Sequence, residues 1–164
     1  SDGAPVSGSF VWYGNALIFV PNAALAAGTQ YTASISTAAK DLAGNPLAAA
    51  KSWQFTTTNP PSVASVYPAD GATGVSLNSV AYAIFNRAMD KPTAEAAFSL
   101  KRTSDGAPVS GSFVWYGNAL IFVPNAALAA GTQYTASVST AAKDLAGNPL
   151  ANPVTWSYTT GASG

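Results

Sequence analysis

Short runs of alternating apolar and polar residues, separated by turn residues, extend along the second half of the chain. Alternation with a period of two places every second side chain on one face of a β-strand. In one such run, Val80, Tyr82 and Ile84 share a face. Seven or so short strands within about 100 residues are typical of a β-sandwich. The pattern predicts strands at residues 62–67, 79–85, 98–100, 109–116, 119–123, 133–139 and 154–158.

Turn residues set the connections between these strands. Gly117 and Asn118 form a two-residue loop, which predicts a β-hairpin because glycine adopts a positive φ at little cost. Residues 68–74 and 144–149 are rich in Pro, Asp, Gly and Asn and predict further turns. Residues 90–97 predict one short helical turn, with Pro92 near its start. We expect no other helix.

The predicted hairpin is apolar on both of its faces. Residues 113–116 read FVWY and residues 120–123 read LIFV. One face is expected to fill the core of the sandwich. The other either lies under a loop or contacts a neighbouring domain or chain, and lateral association becomes the leading hypothesis if it is exposed.

A long internal repeat organises the chain. Residues 1–48 recur as residues 104–151 with a single difference, Ile35 against Val138. The copies then diverge, although Trp53 and Trp156 stay in register. A period of 103 residues is too long for a solenoid unit and fits a whole domain. We therefore predict a partial repeat at 1–58, a linker at 59–61 stiffened by proline, a complete domain at 62–160, and a linker or tail at 161–164.

The first repeat matches only the second part of the complete domain. Residues 1–58 contain no counterpart of residues 60–103, so the front strands of that repeat are missing. We hypothesise that this repeat is completed by preceding residues of a longer protein or by another subunit.

Several motifs of the complete domain, in this order, resemble the bacterial Ig-like domain first named from the S-layer protein SbsA. The resemblance covers essentially all of residues 60–160, and residues 1–58 match its later part. It implies an immunoglobulin-like sandwich of a kind found in tandem in surface-layer proteins, in large adhesins, and beside secreted polysaccharide-degrading enzymes. It implies no catalytic residues. The motifs are residues 68–75, 85–90, 120–124, 128–134 and 143–150.

Composition limits the chemistry that the chain can perform. It contains no cysteine and no histidine, which removes thiolate chemistry, the commonest general base and the commonest transition-metal ligand. Seven basic residues balance seven acidic residues, so no charge excess attracts nucleic acid. Charged residues form only 9% of the chain, against roughly 25% in typical soluble domains, which favours a protein that works packed against neighbours. No apolar run is long enough to span a bilayer.

Acidic residues provide the candidate metal and catalytic groups. Asp144, Gly147 and Asn148, repeated as Asp41, Gly44 and Asn45, could contribute oxygens to a calcium site or form a turn. We favour the turn, because calcium generally requires six to eight oxygen ligands and no second acid lies nearby in sequence. The other acids of the complete domain occur in turn contexts that do not indicate a cleft. We predict no catalytic residue, no metal site and no cofactor.

Aromatic residues provide the candidate contact sites. Tyr13, Tyr116 and Trp115 could form a platform that stacks on sugars, or could pack against protein, and we favour packing. Trp53 and Trp156 are expected to fill the core.

Together these features predict a non-enzymatic structural repeat of a secreted or bacterial cell-surface array. Such a module would build a stalk, filament or surface layer through end-to-end and lateral packing with other copies. The alternative is a carbohydrate-binding or accessory module of an extracellular polysaccharide-active enzyme, and a third reading is an adhesin domain that recognises a protein receptor.

Overall fold

A computed structural model describes residues 3–163, which fall into two compact units. The first unit ends at Asn59 and the second begins at Pro60. Strands dominate both units. Within the described residues, no helix is long and apolar enough to cross a membrane.

The first unit consists of two separate pairs of antiparallel strands. Strands β1 (Gly8–Tyr13) and β2 (Ala16–Pro21) form one pair, with Tyr13 opposite Ala16. Strands β3 (Gln30–Ile35) and β4 (Lys51–Thr56) form the other.

The second unit, described over residues 60–163, is a sandwich of two four-stranded sheets. One sheet has the strand order β5-β7-β10-β9 and the other β6-β12-β11-β8. The all-β sandwich predicted from the sequence is confirmed, with eight strands in these residues where about seven were expected. The elements are β5 (Val63–Tyr67), β6 (Ala72–Val75), β7 (Ala81–Phe85), α1 (Lys91–Ala97), β8 (Phe98–Arg102), β9 (Gly111–Tyr116), β10 (Ala119–Pro124), β11 (Gln133–Val138) and β12 (Val154–Thr160).

The core lies between the two sheets and is built from alternate residues of each strand. Apolar side chains that point inward are removed from water, which is the main stabilising contribution to such a sandwich. Phe98 lies near the middle, with its ring centroid 5.3 Å from that of Phe122 and 6.2 Å from that of Trp156. The largest fully buried apolar side chains are Trp156, Tyr158, Phe85, Leu120 and Val138.

The hairpin and the helix form where the local sequence predicts them. Gly117 has a φ of +57° in the two-residue turn that places Tyr116 opposite Ala119. Helix α1 begins after Asp90, whose carboxylate accepts a hydrogen bond from the backbone N–H of Thr93. It buries Ala94 and Ala97 and ends where strand β8 begins.

Strand β6 lies partly inside the segment predicted to be a turn. Ala72 pairs with Tyr158 in a parallel register, so this segment closes one edge of the second sheet. Asp70 helps to fix it, because its Oδ1 accepts a hydrogen bond of 2.9 Å from the backbone N–H of Ser157. The partner strand is far away in the chain, which is why the local turn residues did not reveal the pairing.

The prediction that both register-matched tryptophans fill a core is wrong for one of them. Trp156 is 1% exposed, whereas Trp53 is 46% exposed. The physical reason is that the second unit supplies front strands over Trp156, while residues 3–59 contain no equivalent strands.

Candidate functional site

The outer surface of the β5-β7-β10-β9 sheet is the most distinctive surface of the second unit. Ala81, Ala83 and Phe85 point into the core, so Tyr82 and Ile84 point outward. The same alternation operates in the three neighbouring strands. We call the outward apolar side chains of this sheet the aromatic face, which comprises Tyr67, Tyr82, Ile84, Val114, Tyr116 and Ile121.

Strand register arranges these side chains in two rows across the sheet. Tyr67 lies opposite Tyr82, Tyr82 opposite Ile121, and Ile121 opposite Val114. The rings of Tyr67 and Tyr82 stack, with centroids 5.1 Å apart and planes 14° from parallel. In the next row, Ala119 lies between Ile84 and Tyr116. The face is therefore a continuous apolar surface.

The aromatic face remains accessible to solvent. Tyr67 is 43% exposed, Val114 51% and Tyr116 82%, whereas Tyr82 and Ile121 are half-buried by their neighbours. The four strands that carry the face contain no Lys, Arg, Asp or Glu. Covering it would therefore dehydrate little charge, in contrast to most of a protein surface.

The outer surface of the opposite sheet has a different chemistry. Hydroxyl groups pair across its strands, with Oγ of Ser99 2.8 Å from Oγ of Ser137. Oγ1 of Thr135 lies 3.2 Å from Oγ of Ser157. Such a surface is well hydrated and gains little from being covered. The two sides of the sandwich thus differ strongly in polarity.

Trp115 belongs to the interior side of strand β9 and contacts helix α1. Its Nε1 donates a hydrogen bond of 2.8 Å to Oε1 of Glu95, and Nζ of Lys91 lies 5.8 Å from its ring centroid. Its ring stacks on Phe85 at a centroid distance of 6.4 Å. The half-buried indole therefore anchors the helix to the sheet.

The three aromatic residues singled out in the sequence do not form one site. Tyr116 follows Trp115 directly in the strand, so the two rings point to opposite faces of the sheet. Tyr13, the counterpart of Tyr116 in the first unit, is likewise 82% exposed. Their proposed role as packing or ligand contacts stays a prediction. The sequence analysis did not place Tyr116 on the same surface as Tyr67 and Tyr82. The available signal was in strand β7, where the small residues Ala81 and Ala83 alternate with Tyr82 and so occupy the opposite face.

Shallow depressions elsewhere on the second unit do not involve these aromatic residues. The larger has a volume of about 260 Å³ and is lined in part by Arg102, Asn125 and Tyr134. A smaller one lies beside Asn78 and Pro124. Neither depression includes Trp115 or Tyr116 in its lining.

The Asp144 loop adopts the turn that the sequence predicts. Oδ1 of Asp144 accepts hydrogen bonds from the backbone N–H groups of Ala146 and Asn148 at 3.0 and 2.9 Å, and Oδ2 accepts one from the Asn148 side chain at 3.1 Å. Oδ2 also lies 3.2 Å from Nη1 of Arg87. Burial opposes ionisation, but the hydrogen bonds from Asn148, Arg87 and Ala146 outweigh it and lower the pKa of Asp144. Both oxygens are thus engaged within the protein.

The remaining acids of the second unit also have structural partners. Asp70 fixes the edge of β12, Asp90 caps α1, and Glu95 binds Trp115. Asp105 forms an ion pair of 3.0 Å with Arg102. Residues 3–163 contain no cluster of three or more acidic side chains suited to a metal ion.

Comparisons with solved structures find partial similarity to longer chains. The L,D-transpeptidase LdtMt1 in complex with imipenem is 22% identical, with a TM-score of 0.47, over 62% of this chain and 40% of that chain. The N-terminal part of the bacterial S-layer protein SbsC is also 22% identical, with a TM-score of 0.47, over 62% of this chain and 24% of that one. The L,D-transpeptidase from Mycobacterium smegmatis is 24% identical, with a TM-score of 0.47, over 63% of this chain and 41% of that one. The chain therefore matches less than half the length of each of these proteins.

No curated protein is similar enough to count as a match. The family model described as "Bacterial Ig-like domain" matches twice, over residues 1–57 and 58–160, and so accounts for nearly the whole chain. The chain belongs to the bacterial Ig-like domain family, which its two units match in tandem.

Proposed function

We propose that the chain is a non-enzymatic structural repeat module of a secreted or cell-surface array, in which Ig-like domains add length and associate laterally. The proposal includes membership of the SbsA type within the family, which rests on the motifs at residues 68–75 and 143–150. Other copies of the repeat are the partners.

The aromatic face is the observation that carries this proposal. It is apolar, its strands contain no charged side chain, and it lies on the side of the sandwich that faces away from the core. Tyrosine gives a large contact area with few rotatable bonds, so its burial costs little conformational entropy. An exposed apolar surface of this kind can pack against its own copy about a two-fold axis.

The repeat makes such a surface periodic along an array. The first unit carries Val11, Tyr13 and Ile18 at the positions of Val114, Tyr116 and Ile121. Complete repeats of this sequence would each present the same outward residues. Weak contacts between single domains would then add up along two adjacent arrays.

The structural engagement of the acids supports a mechanical role. Asp90, Glu95 and Asp144 each stabilise an element of the sandwich through the hydrogen bonds described above. Without histidine or cysteine in the chain, few groups are left to act as a base or a nucleophile.

Lateral association can be tested by nuclear magnetic resonance on the full chain at increasing concentration. We expect concentration-dependent shifts at Tyr82, Val114 and Tyr116, because those side chains lie on the contact surface. Tyr116→Lys should abolish the shifts and lower the association measured by sedimentation. The matched control Thr155→Lys adds the same charge to an exposed position of the opposite sheet and should change neither measurement. Equal effects of the two variants would contradict the proposal.

A carbohydrate-binding or accessory module is the second candidate function. The exposed rings of Tyr67 and Tyr116 favour it, because flat aromatic faces can stack on the apolar faces of sugars. Affinity electrophoresis of the chain in gels that contain cell-wall or plant polysaccharides tests it. Slower migration of the chain in such a gel, lost in Tyr116→Ala but kept in Thr155→Lys, would favour this candidate over lateral packing.

A further inference from the structure

Strand β9 is an outer strand of its sheet, and its backbone is unpaired along one side. In a two-residue hairpin the residues that flank the turn exchange hydrogen bonds, and alternate pairs along the strands do the same. Val114 is therefore hydrogen-bonded to Ile121 of β10, and the N–H and C=O groups of Phe113 and Trp115 point away from β10. Among residues 60–163, no group makes a hydrogen bond to them. We call these outward backbone groups the β9 edge.

The other three edge strands of the sandwich carry features that hinder pairing with another chain. Strand β5 is followed directly by Pro68 and has an irregular register against β7. Strand β6 has four residues. Strand β8 contains Lys101 and Arg102, and residues 107–109 form hydrogen bonds along its outer side. Prolines, irregularities, charges and short length are the means by which proteins protect the edges of sheets.

Strand β9, which the structure describes in full, has none of these features. Its sequence, GSFVWY, contains no charged residue and no proline, and all six residues pair with β10 in a regular register. Phenylalanine, valine, tryptophan and tyrosine all favour extended strands. The β9 edge therefore presents the donors and acceptors that a further strand requires, without a charge that would exclude it.

A second copy of β9 is the strand that matches this edge. Antiparallel pairing about a two-fold axis at Val114 places Phe113 opposite Trp115 of the second copy, so that these two residues exchange backbone hydrogen bonds. The same register places Val114 against Val114 on the outer surface, and apolar pairs across strands are stabilising. A register centred on Phe113 would instead place Val114 opposite Ser112. The axis at Val114 therefore gives the better match.

The charged side chains beside Trp115 also permit a like partner. Oε1 of Glu95 accepts the hydrogen bond from Nε1 of Trp115, and Nζ of Lys91 lies 5.8 Å from the centroid of its ring. The two charges have opposite signs, so this part of the surface has no net charge. It offers no attraction to a strongly acidic or basic strand and no net repulsion to a second copy.

We propose that β9 pairs with β9 of a second copy of this chain, in antiparallel register about Val114, and joins two β5-β7-β10-β9 sheets into one continuous sheet. This contact goes beyond the proposed function, because it uses the backbone of one edge strand rather than the side chains of the aromatic face. It continues the aromatic face from one copy to the next, with Val114 and Tyr116 at the junction.

Hydrogen exchange, measured by nuclear magnetic resonance on the full chain, tests the backbone contact. In dilute protein the amides of Phe113 and Trp115 should exchange rapidly, whereas those of Val114 and Tyr116 should be protected by β10. In concentrated protein we expect exchange at Phe113 and Trp115 to slow at least about tenfold. Packing through the aromatic face alone would leave those two amides exposed and would shift the signals of Tyr82, which lies on β7. The two modes of association are therefore distinguishable.

Charge variants at Val114 provide the matched controls. Val114→Lys places two like charges opposite each other across the axis and should remove the protection at high concentration. Val114→Glu should do the same for the same reason. An equimolar mixture of the two variants pairs opposite charges across the axis and should restore the protection.

A cysteine at the axis tests the register, because the chain contains no cysteine of its own. Opposed residues of a non-hydrogen-bonded pair have Cα atoms about 4.5 Å apart, which suits a disulfide. Val114→Cys should therefore form a covalent dimer under mild oxidation. Tyr116→Cys is the control. Tyr116 is 82% exposed against 51% for Val114, yet its two copies would lie about 14 Å apart in this register, so it should cross-link more slowly.

Either of two results would overturn the proposal. One is exchange at Phe113 and Trp115 that is equally fast in dilute and in concentrated protein. The other is a Tyr116→Cys variant that cross-links at least as fast as Val114→Cys, since random collisions or packing through the aromatic face would then account for the contact.

Discussion

Arg87 donates a hydrogen bond of 3.2 Å to Oδ2 of Asp144 and so connects two parts of the second unit that are far apart in sequence. Asp144 is 4% exposed and Arg87 27%, so water screens this pair only in part. Asp41, in the same loop of the first unit, is exposed, and its carboxylate accepts hydrogen bonds from Ala43 and Asn45 of its own loop. The same loop sequence therefore binds an arginine in the second unit but makes only its own loop hydrogen bonds in the first.

Replacing Asp144 should therefore destabilise the second unit far more than replacing Asp41. Asp144→Ala leaves Arg87 and the N–H groups of Ala146 and Asn148 without this acceptor, and we expect a loss of about 2–3 kcal/mol. The free energy of unfolding, measured by urea titration with near-ultraviolet circular dichroism, checks this. Asp41→Ala is the matched control, and a comparable loss in that variant would show that the loop hydrogen bonds alone account for the effect.

The stability of the second unit should decrease in acid because of the same carboxylate. The pKa of Asp144 is lower in the folded protein than in the unfolded chain, where it is about 3.9. Its contribution is fully present above that value and is lost as the pH falls through the lower folded-state pKa. Urea titrations between pH 6 and pH 2 should therefore show a smaller loss of stability in Asp144→Asn than in the parent chain. Parallel curves for the two proteins would assign the acid sensitivity to other groups.

The hydroxyl of Tyr158 should be dispensable for stability. It is buried, and among the described residues it has no hydrogen-bond partner. Burial, with a contribution from Tyr134, raises its pKa to about 12. The first unit has Phe55 at this position. We expect Tyr158→Phe to raise the free energy of unfolding by about 1 kcal/mol, since a buried polar group without a partner carries a desolvation cost.

Tyr134→Phe is the control, because it should change the free energy of unfolding in the opposite direction. Tyr134 is also buried, but its Oη accepts a hydrogen bond of 2.9 Å from the backbone N–H of Ala129. Its removal should cost about 1 kcal/mol. Destabilisation of similar size in both variants would mean that the Tyr158 hydroxyl is hydrogen-bonded in solution.

Trp115 should contribute to stability through its contact with helix α1, unlike Trp12 in the first unit. Trp115→Phe removes the hydrogen bond to Glu95 and the approach of Lys91, and we expect a loss of about 1–2 kcal/mol. Trp12 is 66% exposed, so Trp12→Phe should change the stability by less than about 0.5 kcal/mol. Thermal unfolding of the two variants makes the comparison, and equal effects would argue against the role of the helix contact.

Local sequence determines the features that were predicted correctly. The turn at Gly117 and the cap at Asp90 depend on residues within a few positions of each other. The repeat shows that the first unit lacks the front strands, yet the prediction that Trp53 is buried is wrong. The residues around a tryptophan do not show whether another segment covers it. Likewise, alternation separates Trp115 from Tyr116 but does not say which ring points inward.

Pairings between distant segments account for the rest. Strand β6 exists because it lies beside β12, and its own residues indicate only a turn. The aromatic face combines Tyr67 from one outer strand of the sheet with Val114 from the other, and the two lie in one row only because β7 and β10 pair between them. A single sequence contains little information about such an arrangement.

If the units associate laterally as we propose, the unequal polarity of the two sheets limits how many neighbours a unit can acquire. When two sandwiches meet through their tyrosine-bearing sides, the surfaces left outside are the ones lined by Ser99, Ser137 and Thr135, which have little tendency to adhere. Growth in that direction would stop at a pair, and the product would be a double-stranded ribbon rather than an unlimited sheet.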